Sequence, residues 1–440
     1  MGHRRGGCDP GGRDPVARPH AAAGARRALC AGADRGRPDR ARAQRAVALA
    51  VSEAPALVIK PPPFLAEPAL AAVLAALPEA RLVGGSVRDA IARVAVADVD
   101  LATPRRPEAV VAALRAAGLK ASPTGIAHGT VTAISGHRGF EVTTLRRDVA
   151  TDGRRAVVAY TEDWREDAAR RDFTINAMFM TRDGGVFDYF GGVDDLRAGR
   201  VRFVGDPATR IAEDFLRILR FFRFWARYGR GAADAAALAA IAAAVPGLAR
   251  LSAERVWSEL KRILAAADPC PAVDLMARLG VLAAVIPEGA APDRLAALVA
   301  RGAPADALLR LGALLTGDVT AFAARLKLAH AERERLLALR VAPAPPPEAD
   351  DATLRRTLAE WPKPVVLDRV WLAGGDRGLL DRIAAMPVPE FPLLGRDLRR
   401  AGVAPGPELG RLLADLRAWW LAGGCTGDVH AELARRRRGA

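Results

Sequence analysis

Two aspartates one residue apart, Asp98 and Asp100, follow the turn Gly84-Gly85-Ser86-Val87-Arg88-Asp89 after a short gap, and together these segments have the makings of a phosphoryl-transfer centre. If Val96 to Leu101 runs as a strand, side chains two apart share a face, so both carboxylates stand where a hard divalent cation could bridge them. The apolar approach Leu82-Val83 reads as a strand. Gly84 and Gly85 let backbone N–H groups close on an anion, and Val87 onward can begin a helix whose N-terminus favours negative charge. A phosphate cradle beside a metal-holding pair fits nucleotidyl transfer. Alone, Asp-x-Asp usually marks a solvated strand face and Gly-Gly an ordinary turn; the weight lies in the combination.

Three further groups could serve such chemistry. Glu141, in the β-branched run Phe140 to Leu145, brings a third carboxylate toward the pair if its strand pairs in the right register, the bland alternative being an edge Glu facing water. In Arg170-Arg171-Asp172-Phe173-Thr174-Ile175-Asn176, Asp172 and Asn176 are i and i+4 on an expected helix, where they could hold a ribose with Arg171 near the phosphates, or Asp172 could simply cap the helix, the more ordinary use of Asp. From Arg210 to Phe224 one long helix is expected, with Ile211, Phe215, Ile218, Leu219 and Phe222 on one half of the wheel and Arg217, Arg220 and Arg223 winding along the other beside Asp214. An Arg donor next to an Asp acceptor matches the pairing edge of cytosine or adenine, whereas guanine and uracil turn a carbonyl toward the carboxylate. The plain alternative is an amphipathic helix with its charges in water.

The elements that must position these residues fall into two textures. Helical patterns over Leu65 to Ala76 and Glu108 to Ala117 alternate with strands, including His128 to Ile134 and Phe140 to Leu145, joined by a hairpin loop over Ser135 to Gly139. Past Asp172 the chain turns to Ala/Leu/Arg-rich helices and stays so, with Pro343 to Pro347 as a linker or sharp turn and Arg435 to Arg438 as a basic tail. The chain is therefore α+β, a small mixed sheet leading an all-helical remainder.

At 440 residues it is long enough for two or more domains, and its formal charge of +15 suits a polyanionic partner. Eleven Arg against four Asp put +7 of that charge in residues 1–50, an Arg/Gly/Ala/Pro-rich leader expected to be disordered. Cys8, Cys30, Cys270 and Cys425 are too few and scattered for a disulfide framework, which fits a reducing cytoplasm. No apolar run reaches the ~20 residues of a bilayer span; Ala235 to Val245 reads as a helix in water.

Taken in order, the motifs Leu82-Val83-Gly84-Gly85-Ser86-Val87-Arg88-Asp89, Asp98-Val99-Asp100, His128-Gly129-Thr130-Val131, Glu141-Val142-Thr143-Thr144-Leu145-Arg146, Arg170-Arg171-Asp172 with Asn176, and Glu213-Asp214 with Arg217, Arg220 and Arg223 resemble the class II CCA-adding tRNA nucleotidyltransferases, of the superfamily shared with poly(A) polymerases. Gly395-Arg396-Asp397-Leu398, Gly402 and Pro405-Gly406-Pro407 resemble the tail element of the same family. Two departures are Ala95-Val96-Ala97, where a Gly and polar residues are common, and Arg155, where a His is frequent.

The resemblance implies a nucleotidyltransferase head (60–180), a neck carrying the nucleotide-selecting helix (181–265), a body (266–342) and a tRNA-binding tail (350–440). It implies Mg²⁺ at Asp98 and Asp100 with Glu141 nearby, Gly84, Gly85, Arg88 and Arg171 at the triphosphate, and Asp172 and Asn176 at the nucleotide. Asp214 and Arg217 would read the base, supported by Arg220 and Arg223. The implied reaction adds C, C and A to the tRNA 3′ end from CTP and ATP, releasing pyrophosphate. A poly(A) polymerase, a CC-only or A-only enzyme, and a non-catalytic RNA-binding protein are the alternatives; no His-Asp phosphohydrolase signature is present.

Overall fold

In the computed structural model, residues 54–125, 129–151 and 156–438 are described; the leader, His128 and Arg155 lie outside them. Among the described residues ten strands occur in chain order: β1 (Leu57–Val58), β2 (Arg81–Val83), β3 (Asp100–Thr103), β4 (Lys120–Gly125), β5 (Thr130–Ser135), β6 (Arg138–Thr144), β7 (Arg146–Thr151), β8 (Ala156–Tyr160), β9 (Met178–Met180) and β10 (Gly185–Asp188). Eight form one mixed sheet in the order β1-β10-β9-β2-β3-β6-β5-β4, while β7 and β8 pair apart. Only β3 and β6 run parallel; every other pair in the sheet is antiparallel.

Strand alternation divides the sheet into two faces. Leu82, Leu101, Phe140 and Val142 pack with Leu70, Val73, Leu74, Val110 and Leu114 of the helices Pro68–Ala76 and Pro107–Ala116, both begun by a proline whose fixed φ suits the first helical position. Val83 and Ala102 point the other way, onto Ala168, Ala177 and Phe179. Asp100, cross-strand partner of Val83, must lie on this second face.

Several elements depart from expectation for local reasons. The strand of the acidic pair begins at Asp100 and not Val96, because β2 ends at Val83, where the turn at Gly84 carries its hydrogen-bonding edge away. The alternation nonetheless extends back, with Val99 buried and Asp98 and Asp100 exposed. The five-residue hairpin loop contracts to Gly136-His137, since Ser135 still pairs with Arg138 and both turn residues adopt positive φ, 54° and 62°. The expected 210–224 helix is two, Pro207–Glu213 and Leu216–Tyr228: Asp214 is extended (φ −157°) and its Oδ1 accepts the Leu216 N–H, restarting the helix.

Beyond Gly192 the described residues are helical apart from turns, loops and the isolated bridges Phe173–Phe203 and Ala290–Leu315. The helix Leu216–Tyr228 buries Ile218, Leu219, Phe221 and Phe222 completely, and Phe221 stacks on Phe203 and Trp225. It joins the head through Phe173, whose ring stands 5.3 Å from Phe224. Arg435 to Arg438 end the helix Val429–Arg438, where Arg435 and Arg436 pair with Glu432 and are no free tail. Among the described residues no helix is long and apolar enough to cross a membrane.

Candidate active site

The parallel register of β3 with β6 sets Asp100 directly beside Glu141, and Asp98 shares their face. All three border a cleft of about 540 Å³ with Arg138 and Phe140. No hydrogen bond or ion pair holds any of the three carboxylates among the described residues. Although Asp100 reaches solvent, partial desolvation at the cleft wall pushes its carboxyl above the usual range; Glu141 and then Asp98 push it further, and Arg171 opposes them. Such crowded hard oxygen donors fit a divalent cation. Among the described residues no three His, Cys, Asp or Glu side chains make a ready metal cage.

Arg171 spans the gap between this face and the glycine turn. Asp167, buried at the sheet, grips it through Nε (3.2 Å) and Nη2 (2.9 Å) and holds Arg170 with its other oxygen. Burial would raise the Asp167 carboxyl, but the two guanidiniums hold it below the usual range. Arg171 Nη1 is left directed at Gly84, 3.6 Å from where a Cβ would stand there. Gly84 itself takes φ +67°, ψ −120°, a conformation natural to glycine alone, and opens the helix Gly85–Ile91.

Other expected site residues are turned inward. Arg88 is only 7% exposed and lies beneath the turn: its Nε donates to Asp89 (3.0 Å) and its Nη1 to Asn176 Oδ1 (2.6 Å). Asp172 and Asn176 do meet, with Asn176 Nδ2 donating to Asp172 Oδ1 at 3.0 Å, but on a 3₁₀ turn (Thr174–Asn176) instead of an α-helix. Asp172 caps no helix. It accepts the Phe173 N–H and the Arg220 guanidinium, whose Nε stands 2.6 Å away. The Tyr228 hydroxyl donates to Asp89, so Arg220-Asp172-Asn176-Arg88-Asp89-Tyr228 closes a polar loop from the neck helix through the head and back. Burial would raise the Asp172 carboxyl; Arg220, Asn176 and the Phe173 N–H together hold it below its ordinary value.

The arginines of the neck helix are not a solvated stripe, as each has its own acid. Arg217 pairs with Glu213, Arg220 with Asp172 and Arg223 with Glu259 at 3.1 Å. Burial draws the Arg223 guanidinium down to about 10 against the pull of Glu259. Asp214 and Arg217 are neighbours, Arg217 N–H donating to the Asp214 carbonyl at 3.0 Å, yet Asp214 Oδ2 is held by Arg255 at 2.6 Å. Asp167, Asp89, Arg255 and Glu259 were not singled out from sequence. Asp167 left a signal in its i+3 and i+4 spacing to Arg170 and Arg171, and Asp89 stands beside its partner Arg88 in the quoted turn motif; Arg255 and Glu259 left none, Asp214 and Arg223 being distant in the chain.

Residues 80–202 match the family model of the poly(A) polymerase head domain, and residues 234–291 that of the probable RNA and SrmB-binding site of polymerase A. The chain is 38% identical over 362 residues to CCA tRNA nucleotidyltransferase 1, mitochondrial, of Mus musculus, covering 79% of this chain and 83% of that relative. It is 32% identical over 384 residues to the CCA-adding enzyme of Levilactobacillus brevis, covering 80% and 92%. The crystal structure of the Bacillus stearothermophilus CCA-adding enzyme in complex with CTP aligns at TM-score 0.64 and 27% identity, over 83% of this chain and 96% of that one.

Proposed function

Since this chain belongs to the CCA-adding tRNA nucleotidyltransferases, we propose that its carboxylate face, glycine turn and neck helix form the site at which C, C and A are joined to the 3′ end of tRNA. The RNA 3′-hydroxyl attacks the α-phosphate of CTP or ATP, and pyrophosphate leaves. The observation that carries this reading is the β3–β6 register, which puts Glu141 beside Asp100 on the face shared with Asp98, with Arg171 between them and the glycine turn.

The family uses a divalent metal ion. We assign Mg²⁺, held by Asp98 and Asp100 and by phosphate oxygens, with Glu141 at its side. Bound there, the ion would lower the pKa of the attacking hydroxyl and offset charge on the leaving pyrophosphate. Arg171, fixed by Asp167, meets the triphosphate with its remaining N–H groups, and the backbone at Gly84-Gly85 approaches it closely. Arg88 acts from below, fixing Asn176 and the turn. Asp214 and Arg217 read the base: an acceptor beside a donor favours cytosine and adenine, and each carboxylate oxygen of Asp214 has capacity beyond the bonds it already accepts.

The divisions head 60–180, neck 181–265, body 266–342 and tail 350–440 serve as working units, the helical ones holding the tRNA acceptor arm. Cys270 and Cys425 are free thiols, which suits the cytoplasm as the compartment proposed here, although one relative is mitochondrial. The test is to incubate the protein with Mg²⁺, all four nucleoside triphosphates and a tRNA ending before its CCA, then sequence the 3′ ends. CCA ends are expected; long A tails, CC alone or A alone would replace this reading with a rival, and no addition would remove the enzyme.

A further inference from the structure

Far along the chain from these residues, three helices of the body and the tail bring together arginines that pair with no carboxylate among the described residues. Arg294 comes from the helix Pro292–Ala300, Arg340 from His330–Val341 and Arg369 from Lys363–Ala373. They border a cleft of about 220 Å³ whose floor is Gly312, Leu339, Leu372 and Ala373. A smaller adjoining cleft of about 130 Å³ shares Arg294 and Leu372 and adds Arg301. No carboxylate lines either one. Asp368, the acid next to Arg369 in sequence, is turned away to pair with Arg335 at 2.7 Å.

Two of these arginines are held from behind by helix C-terminal carbonyls, where the negative end of the helix dipole favours a cation. Arg340 donates to the Leu315 carbonyl, which ends the helix Ala307–Leu314, and Arg369 Nη1 donates to the Leu339 carbonyl at 2.9 Å. These anchors use one N–H of each guanidinium, and five are available on each. Arg369 Nε is shielded from solvent with no hydrogen-bond partner, and Arg294 has no side-chain partner among the described residues. Burial pushes the Arg340 guanidinium below its ordinary value, and Arg294 and Arg369 push it further. Like charges brought together, fixed in place and left with unspent donors make a cavity that a compact anion would relieve.

We propose that this cleft binds a phosphate group, either a backbone phosphodiester of RNA or free phosphate or pyrophosphate, through Arg294, Arg340 and Arg369. The inference does not depend on the transfer reaction, so Asp98→Ala should leave it intact. Arg294→Gln removes a binding group without removing a structural contact, and circular dichroism checks that the fold persists. In one arm, inorganic phosphate and pyrophosphate are titrated calorimetrically into the full chain and into Arg294→Gln at constant ionic strength. In the other, tRNA binding is followed against salt concentration.

If the ligand is the free anion, Arg294→Gln weakens phosphate or pyrophosphate by about tenfold, the loss of one charge-assisted contact. If it is an RNA phosphodiester, the variant weakens tRNA binding and lowers the slope of log affinity against log salt by about one. Arg369→Lys should reproduce the loss in part, because it keeps the charge but not the planar fork. Unchanged titrations in both arms, for both variants, would overturn the site.

Discussion

The polar loop between head and neck is the part of this molecule whose energetics can be worked through most directly, and Asp172→Asn tests it. Asp172 is 8% exposed and the Arg220 side chain 32%. The amide can keep the bonds from Asn176 and Phe173, but its NH₂ then faces the Arg220 donors and the guanidinium loses its counter-charge. Breaking a fully buried pair costs about 3–5 kcal/mol. Partial exposure of Arg220, with Glu259 and Asp214 close enough to support its charge, reduces this to about 2–3 kcal/mol.

The assay is urea unfolding at pH 7 of Asp172→Asn, Arg220→Gln and the double variant. We expect each single variant to lose that amount and the double to lose little more, a coupling of about 2 kcal/mol. Because the Asp172 carboxyl is held below its ordinary value in the folded chain, its contribution is full above the unfolded value of about 3.9 and fades as the pH falls through the folded one. The gap between wild type and Asp172→Asn should thus be flat from pH 8 to about 5 and narrow below about 4. Losses that add within about 0.5 kcal/mol, or a gap that persists at low pH, would refute the loop as a coupled unit.

Asp98→Ala or Asp100→Ala should lower nucleotide addition by about 10³-fold or more while tRNA affinity in a filter assay stays within a few-fold, since these groups act on the transferring phosphoryl group; chelation of divalent metal should do the same, reversed by added Mg²⁺. Asp214→Ala should raise UTP or GTP incorporation relative to CTP by about tenfold or more, and Arg255→Gln, which frees the Asp214 carboxylate, should move the same ratio less. Gly84→Ala places a Cβ at ordinary contact distance from Arg171 Nη1, so its expected cost of about 1–2 kcal/mol in urea unfolding is conformational, arising from φ +67°.

What the sequence discloses here follows from how local each cause is. The glycine turn, the acidic pair on one face and the change from strands to helices all depend on neighbours within a few residues, and all three are present. The hairpin is present too, but its loop length depends on whether His137 accepts positive φ, which residue type does not announce. The start of β3 depends on where its partner β2 stops, and the β3–β6 register is a pairing of residues 41 apart that alternation permits but does not select. Asp172 and Asn176 share a face as their spacing suggests, yet the ion-pair partner that Asp172 takes, Arg220, lies 48 residues away.

The neck helix shows why a period of 3.6 residues misjudges buried arginines. A wheel assigns one half to the core and gives the rest to water, but Leu216–Tyr228 buries Phe221, Phe224, Trp225 and Tyr228 besides its expected face. With so much of its circumference covered, Arg217, Arg220 and Arg223 fall at seams between packed elements. A guanidinium at a seam needs an acid, and Glu213, Asp172 and Glu259 come from three different segments to supply it. The pairing also has a functional logic. On the function proposed above, a helix that reads a base must keep its register with a head that holds the triphosphate, and apolar packing alone tolerates small slips that directional bonds do not. Arg220 and Tyr228, two turns apart on one side of that helix, tie it to Asp172 and Asp89 at either end of the Arg88–Asn176 link, so rotation of the helix against the glycine turn would break both ends at once.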